Sequence, residues 1–311
     1  MSDEIMVSVI CLAFNHEKYI GQALESFVCQ KTSFKYEVIV HDDASSDSTG
    51  KIIREYAELY PDIIKPIIQS ENQHSKGIPI IKTYVTPSLS PSKYYALCEG
   101  DDYWTDKHKL QKQYDYMERN SDCSMCVHNT KIVSESGYEL HKKVNSNVKD
   151  INYEIADIIR AGGGGLFHTS SFFWRSEYGI VNPKEFVIKG IGDYSKAIYL
   201  STKGHVHYIG ETMSAYRQNA IGSWSSRLAE DEEKEIQHCN NLISGLSSIN
   251  NVTDQKYDLP IRFAIKNAEY RICIIKRKYR LIFADKELRN IFVHKPLKHK
   301  FKLFLKMLFR C

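Results

Sequence analysis

An α/β fold is the class this sequence predicts, and three observations carry it. Strand-like apolar runs alternate with helical periodicity over the first 130 residues, the connections are short, and carboxylates crowd the ends of two strands. Residues 6–13 (MVSVICLA) are fit for a buried strand. Tyr19, Ile20, Ala23, Leu24, Phe27 and Val28 then mark an amphipathic helix. Residues 36–40 (YEVIV) form a second strand, and Ser46 or Asp47 caps a helix carrying Ile52, Ile53, Tyr56 and Ala57 that stops at Pro61. Strands at 63–69 and 94–97 follow, then a helix capped by Thr105 or Asp106 with Leu110, Tyr114 and Met117 on one face. This βαβ order predicts a parallel sheet, whose ligands bind at the carboxyl ends of the strands.

Further along, the alternation from Cys123 to His128 reads as a strand, and residues 131–151 are polar and carry no clear period. A strand is expected over 168–175, a helix from near Asp193 to before Gly204, and two short strands at 205–209 and 212–217. Beyond the glycine- and serine-rich segment 218–226 the pattern is helical to the end.

The 311 residues, 42% hydrophobic and 26% charged, exclude a disordered chain and fit one large domain with an appendage. No apolar stretch approaches the ~20 residues of a membrane span, and the acidic start predicts no signal peptide. Most of the eight cysteines sit in apolar runs, which predicts buried free thiols; the lone Cys123–Cys126 pair lacks the second pair that zinc needs. The net charge of +4 is uneven. Residues 261–311 hold fifteen Lys and Arg against three Asp and Glu, so they carry +12 and the first 260 residues carry −8.

Four clusters could support chemistry. His41, Asp42, Asp43 and Asp47 follow the second strand, where a carboxylate can accept from a base N–H or a ribose hydroxyl; the competing reading is a turn with Asp47 as a helix cap. Glu99, Gly100, Asp101 and Asp102 follow the strand at 94–97. Three carboxylates in four residues repel one another and suit Mg²⁺ or Mn²⁺, unless the turn is simply solvated. Gly190, Gly192 and Asp193 open a helix, for which an ordinary cap is an adequate account. Arg217 either neutralises a diphosphate or pairs internally, and Trp224 is placed to act as a lid. Gly162 to Gly165 match neither a dinucleotide fingerprint nor a phosphate-binding P-loop.

Taken in order, SVICLAFNHEKYIGQALES, EVIVHDDASSDST, CEGDDYW and GDYS resemble the four landmarks of inverting family-2 glycosyltransferases of the GT-A fold, over about residues 5–225. The resemblance implies a nucleotide-diphospho-sugar transferase domain with a Rossmann-like mixed sheet over 1–225. A helical C-terminal region with a basic amphipathic tail would occupy 226–311. It implies that Ala13, Asn15, Tyr19, Asp42, Asp43, Glu99, Gly100, Asp102, Arg217 and Trp224 hold the nucleotide-sugar. Asp101 would bind Mn²⁺ or Mg²⁺, and Asp193 would be the general base. Glu99 stands where the first Asp of a DxD motif is common, and the QxxRW motif of processive synthases is absent, which implies one sugar per encounter. The implied reaction moves a hexose or N-acetylhexosamine from a UDP-sugar to a glycan or lipid-linked glycan in bacterial cell-surface polysaccharide synthesis. Nucleic acid is not an expected partner.

Two other classes compete. A sugar-1-phosphate nucleotidyltransferase would carry a glycine-rich, Arg-containing loop after the first strand, where this chain reads CLAFNH. An inactive carbohydrate-binding scaffold of the same fold would not need the acidic cluster or Asp193. The tail suggests a location. At 100° per residue, Lys295, Lys298, His299, Lys302, Lys306 and Arg310 fall on one arc of residues 295–311. Leu297, Phe301, Phe304, Leu305, Met307 and Leu308 fall on the other, with Lys300 the exception, the pattern of a helix lying on an anionic membrane. The expected location is cytoplasmic, and peripheral on the inner face of the cytoplasmic membrane if the tail meets lipid. The competing readings are a helix docked on the catalytic domain with its lysines solvated, or one packed on a partner subunit.

Overall fold

A computed structural model describes residues 4–162, 165–218 and 231–308. Its centre is a mixed ten-stranded sheet, with strands β1 (Ile5–Ala13), β2 (Lys35–Asp42), β3 (Ile64–Ile68), β4 (Tyr94–Leu97), β5 (Tyr103–Trp104), β6 (Cys123–Val133), β7 (Glu139–Lys143), β8 (Ile151–Tyr153), β9 (Phe173–Arg175) and β10 (His205–Arg217). The order is β3-β2-β1-β4-β9-β6-β10-β5, with β7 beside β6 and β8 beside β10. Strands β3, β2, β1 and β4 are parallel, as the alternation predicts. The parallel order read from the first strands ends at β9, which runs antiparallel to both β4 and β6 and makes the sheet mixed, as the resemblance implies. Pro66, which cannot donate to a ladder, sits on edge strand β3.

Alternate residues of the central strands feed two cores, so both faces are covered. Val7, Val9, Cys11, Val38 and Val40 pack with the apolar faces of α1 (Ile20–Val28), α2 (Thr49–Leu59) and α3 (Lys109–Arg119). Ile10 and Ile39 point the other way, into a core shared with α4 (Ile155–Ala161), α5 (Gly192–Ser201), α6 (Glu232–Val252) and α7 (Asp258–Ile275). The first two C-terminal helices therefore complete the sheet's own core. A smaller cluster of Tyr270, Cys273, Ile282, Leu288, Ile291 and Leu303 joins the end of α7 to α8 (Tyr279–Ala284), α9 (Lys286–His294) and α10 (Leu297–Leu308).

Three expectations change. The strand over 168–175 shrinks to β9, because Thr169–Ser171 form a 3₁₀ turn whose backbone oxygens are taken by Trp104 Nε1 (2.9 Å, from Ser170 O) and Gln113 Nε2 (2.9 Å, from Ser171 O). The two strands at 205–217 are one strand, irregular around Thr212. Gly210 sits at that irregularity because a Cβ there would lie 2.4 Å from the backbone of Val148. The unassigned 131–151 segment supplies β7 and the start of β8. The seven described cysteines are free, six of them buried and Cys29 exposed.

Candidate active site

Two carboxylate loops meet at the carboxyl ends of β1, β2 and β4. Backbone bonds draw them together: Asp43 N–H donates to Ala13 O (3.0 Å), and Gly100 N–H donates to Leu12 O (2.9 Å). Gly100 must be small, since a Cβ would stand 2.9 Å from Ile20 Cδ1, 3.0 Å from His16 Nδ1 and 3.1 Å from Ala13 Cβ. Ala13 and Gly100 thus provide close approach between the two loops.

The first loop is well supplied with donors. Asp43 is buried and accepts from Gln73 N (2.8 Å) and His74 N (3.0 Å), leaving two of a carboxylate's roughly four lone-pair sites. Asp42 accepts from Ser45 N (3.3 Å) and from the Ser45 hydroxyl. Asp47 accepts from Thr49 N (2.9 Å), Thr49 Oγ1 (2.5 Å) and Glu17 N (3.0 Å). Burial pushes the Asp47 carboxyl up, but these donors outweigh it and leave it below the usual value. Asn15, in left-handed backbone at φ 55°, ties the loop down by accepting from Ser46 N (2.9 Å) and donating its own N–H to Ser45 Oγ (2.8 Å).

The second loop has fewer donors and more charge. Glu99, Asp101 and Asp102 bring one oxygen each within 4.8 Å of one another, and they are the only such group among the described residues. Burial first, then Asp101 and Asp193, pushes the Glu99 carboxyl up to about 8. Asp102 is raised well above its usual value by burial and by Asp101. Its Oδ1 accepts from Arg217 N (2.8 Å), and its Oδ2 lies 3.6 Å from His168 Nε2. Three crowded carboxylate oxygens, two of them on groups with raised proton affinity, fit a hard divalent cation.

Arg217, expected on the diphosphate or in an internal pairing, is buried at the end of β10 and bonded internally. Its Nε donates to Asp101 O (3.1 Å), Nη1 to Glu135 O (2.7 Å) and Nη2 to Gln22 Oε1 (2.7 Å). Its guanidinium carbon lies 4.7 Å from the ring centroid of Tyr19 and 5.7 Å from that of Tyr103. Tyr19, expected on the donor, is buried with its hydroxyl on Glu135 Oε1 (3.1 Å). Arg217 thus ties the acidic loop to α1, with the Tyr19 ring packed against its guanidinium.

Asp193 occupies the first turn of α5 and accepts from Tyr194 N (2.7 Å). Burial raises its carboxyl above the usual carboxylate value. Its charge is felt by Glu99, so the structure brings Asp193 to the acidic loop from 94 positions along the chain. A cavity of about 20 Å³ beside it is lined by Ile158, Leu166, Phe167, Phe172 and Ala197. Trp224 and most of the segment 218–226 lie outside the described residues, as do Gly163 and Gly164.

His16 and His168 are absent from the residues singled out by sequence. His16 lies within electrostatic reach of Asp101, Asp47 and Asp42, between the two loops, and its buried Nδ1 has no hydrogen-bond partner among the described residues. His168 stacks on Tyr216 at 4.4 Å, and burial pulls its pKa down to about 4. No spacing signal marks either; a lone histidine acquires meaning only from what the fold sets beside it.

The profile of glycosyl transferase family 2 matches residues 8–223. An uncharacterised protein of Mycobacterium tuberculosis is 32% identical over 227 residues, covering 71% of this chain and 61% of its own length. The chain thus spans less than two thirds of that relative. TuaG of Bacillus subtilis, named for teichuronic acid biosynthesis, is 27% identical over 141 residues, 45% of this chain and 53% of its own. The fold is shared with a Staphylococcus aureus TarS fragment in complex with UDP-GlcNAc (TM-score 0.59, 16% identity, 96% of this chain and 78% of that one). It is shared too with the mannosyltransferase PcManGT of Pyrobaculum calidifontis, in complex with GDP-Man and Mn²⁺ (TM-score 0.51, 14% identity, 91% and 82% covered). The ordered carboxylate loops, the GT-A-like mixed sheet and the profile agree: this chain belongs to glycosyl transferase family 2.

Proposed function

We propose that the chain is an inverting, non-processive glycosyltransferase. It moves a sugar from a nucleotide-diphosphate donor, a UDP-sugar in the first instance, to a glycan or lipid-linked glycan of the bacterial cell surface. One observation carries the reading: Glu99, Asp101 and Asp102 converge within 4.8 Å at the end of β4, with Asp193 close enough to raise the Glu99 carboxyl further. Residues 1–225 would form the transferase domain and 226–311 its helical extension. The acceptor class fits an enzyme lying on the inner face of the cytoplasmic membrane.

Asp101, with Glu99 beside it, would hold Mn²⁺ or Mg²⁺. Bound there, the ion supplies positive charge for the departing diphosphate. Asp42 and Asp43, fixed by their loop donors, offer remaining lone pairs to the base and ribose, with Asn15 holding that loop in place. Asp102, Arg217 and Tyr19 act beneath the donor by fixing the loop that meets it. Asp193 takes the proton of an acceptor hydroxyl while that oxygen attacks the anomeric carbon from the face opposite the leaving group, so configuration inverts.

The test is UDP release from a panel of UDP-sugars with and without Mn²⁺, with product mass and anomeric configuration measured. Asp193→Asn should abolish transfer while sparing donor binding; a normal transfer rate would remove Asp193 from the base role. Metal-independent UDP release would overturn the metal assignment. Pyrophosphate release from a nucleoside triphosphate and a sugar phosphate would replace the transferase reading with a nucleotidyltransferase, and binding without turnover of any donor would favour the scaffold.

A further inference from the structure

The last helix does not divide as a simple two-sided projection suggests. His299 and Met307, expected on opposite arcs, both turn inward. His299 Nε2 lies 3.0 Å from Tyr270 Oη, Leu303 is only 3% exposed, and Met307 packs against the same cluster. Lys295, one turn before His299, reaches Asn267 Oδ1 at 3.4 Å and lies 5.7 Å from the Tyr270 ring centroid. Positions 295, 299, 303 and 307 are thus the seam that fastens α10 to α7 and its neighbours.

The opposite side is apolar as well. Leu297, Phe301, Phe304 and Leu305 are 82%, 65%, 57% and 37% exposed, at spacings of four, seven and eight that place them on one face. Because the seam holds the helix from behind, this stripe cannot turn into the protein's own core. From Leu288 onward the chain has seven Lys and Arg and no Asp or Glu. Lys298 is exposed beside the stripe and Lys300 partly so.

We infer that the outward face of α10 is a docking surface for a bilayer carrying anionic lipid. The inference extends the peripheral placement proposed above but does not depend on the sugar chemistry. Four considerations single out this occupant. The stripe is a single helix face, as an interfacial helix presents, and the described polar side chains flanking it, Lys298 and Lys300, are basic. At twelve residues the helix is about 18 Å long, and no described helix is long and apolar enough to cross a membrane, so it lies in the interface. The body's −8 is repelled by the surface that attracts the tail's +12, which turns the stripe toward the lipid and the sheet away from it. An acidic protein would satisfy the lysines, but an anionic bilayer takes up both the charge and four large apolar side chains.

The test is co-sedimentation of the full chain with phosphatidylcholine vesicles, with and without phosphatidylglycerol. The chain should sediment with the anionic vesicles and stay in solution with the neutral ones. Phe301→Ser with Phe304→Ser should lower partitioning at least about tenfold. Lys298→Gln with Lys300→Gln should lower it roughly fivefold per lysine and flatten its salt dependence. Thermal melting of each variant, expected to match the parent because the seam is untouched, separates lost docking from lost folding. Equal binding to neutral vesicles, unchanged binding of the phenylalanine variant, or no binding by the full chain would each overturn the inference; the last would point to an acidic protein. UDP release is not read, so loss of the transferase reading leaves this test intact.

Discussion

The two carboxylate loops use the same residue types at the ends of neighbouring strands, yet they differ in one physical respect. After β2, Asp42, Asp43 and Asp47 are each met by N–H or O–H donors within the loop or from residues 17, 73 and 74. After β4, Glu99, Asp101 and Asp102 chiefly meet one another, and two of the three are pushed to higher proton affinity. Counting carboxylates would rank the loops equally; counting donors separates a rigid platform from a site that wants a cation.

The largest effect should come from the second loop. Asp101→Asn removes one of the three clustered carboxylates and its full negative charge, and should lower sugar transfer about 10²- to 10³-fold with loss of the Mn²⁺ response. Transfer and metal titration measured together check this. Retained Mn²⁺ dependence would mean that Glu99 and Asp102 hold the ion without Asp101.

Next in size is the clamp. Arg217→Met removes three side-chain hydrogen bonds and leaves the carbonyls of Asp101 and Glu135 short of donors. A cost of about 2–4 kcal/mol in stability and a roughly tenfold rise in the metal concentration for half-maximal activity are expected. Arg217→Lys should recover less than half of the metal effect, because an ammonium cannot span three acceptors in a plane. Unchanged metal dependence alongside lowered stability would make Arg217 a general strut with no bearing on the loop.

A pH series distinguishes the loops without mutation. Glu99 holds its proton in the folded state to about pH 8, above its unfolded value, so its stabilising contribution is complete at acid pH and is lost as pH rises toward 8. Asp47 is the reverse: its value is lowered, so its contribution is present at neutral pH and is lost only as pH falls below the usual carboxylate range. A divalent ion held by this loop would take the place of the protons that Glu99 and Asp102 give up. Mn²⁺ should therefore raise Tm more at pH 8 than at pH 5, which differential scanning fluorimetry measures. An equal shift at both pH values would show that the raised carboxyls are not those that meet the metal.

Legibility from sequence follows the reach of the forces involved. The β1–α1–β2–α2 unit is readable because its apolar period is unbroken and its turns are local; Ile20, Ala23, Leu24 and Phe27 are buried as their spacing requires. The acidic loops are readable as loops for the same reason. The partners are not. Arg217 reaches Gln22 across 195 positions, and the 3₁₀ turn before β9 is held by Trp104 and Gln113 from elsewhere in the fold. Met307 and His299 fall on the seam because Tyr270 and its cluster lie behind them, which no helical projection contains.

The smallest effect belongs to Asp47. It satisfies the first-turn N–H of α2 and bridges to Glu17, so Asp47→Ala should cost about 1 kcal/mol, as loss of a helix-terminal acceptor does, and lower Tm by about 2 °C. Asp47→Asn keeps one carbonyl acceptor and should cost less. Neither should move the metal concentration for half-maximal transfer, since its donors are backbone groups and the Thr49 hydroxyl rather than the second loop. His16 offers a route by which they could, because it lies within electrostatic reach of both Asp47 and Asp101. A metal shift in Asp47→Ala that vanishes in a His16→Gln background would therefore join the two loops into one electrostatic unit; additive behaviour keeps them a platform and a site.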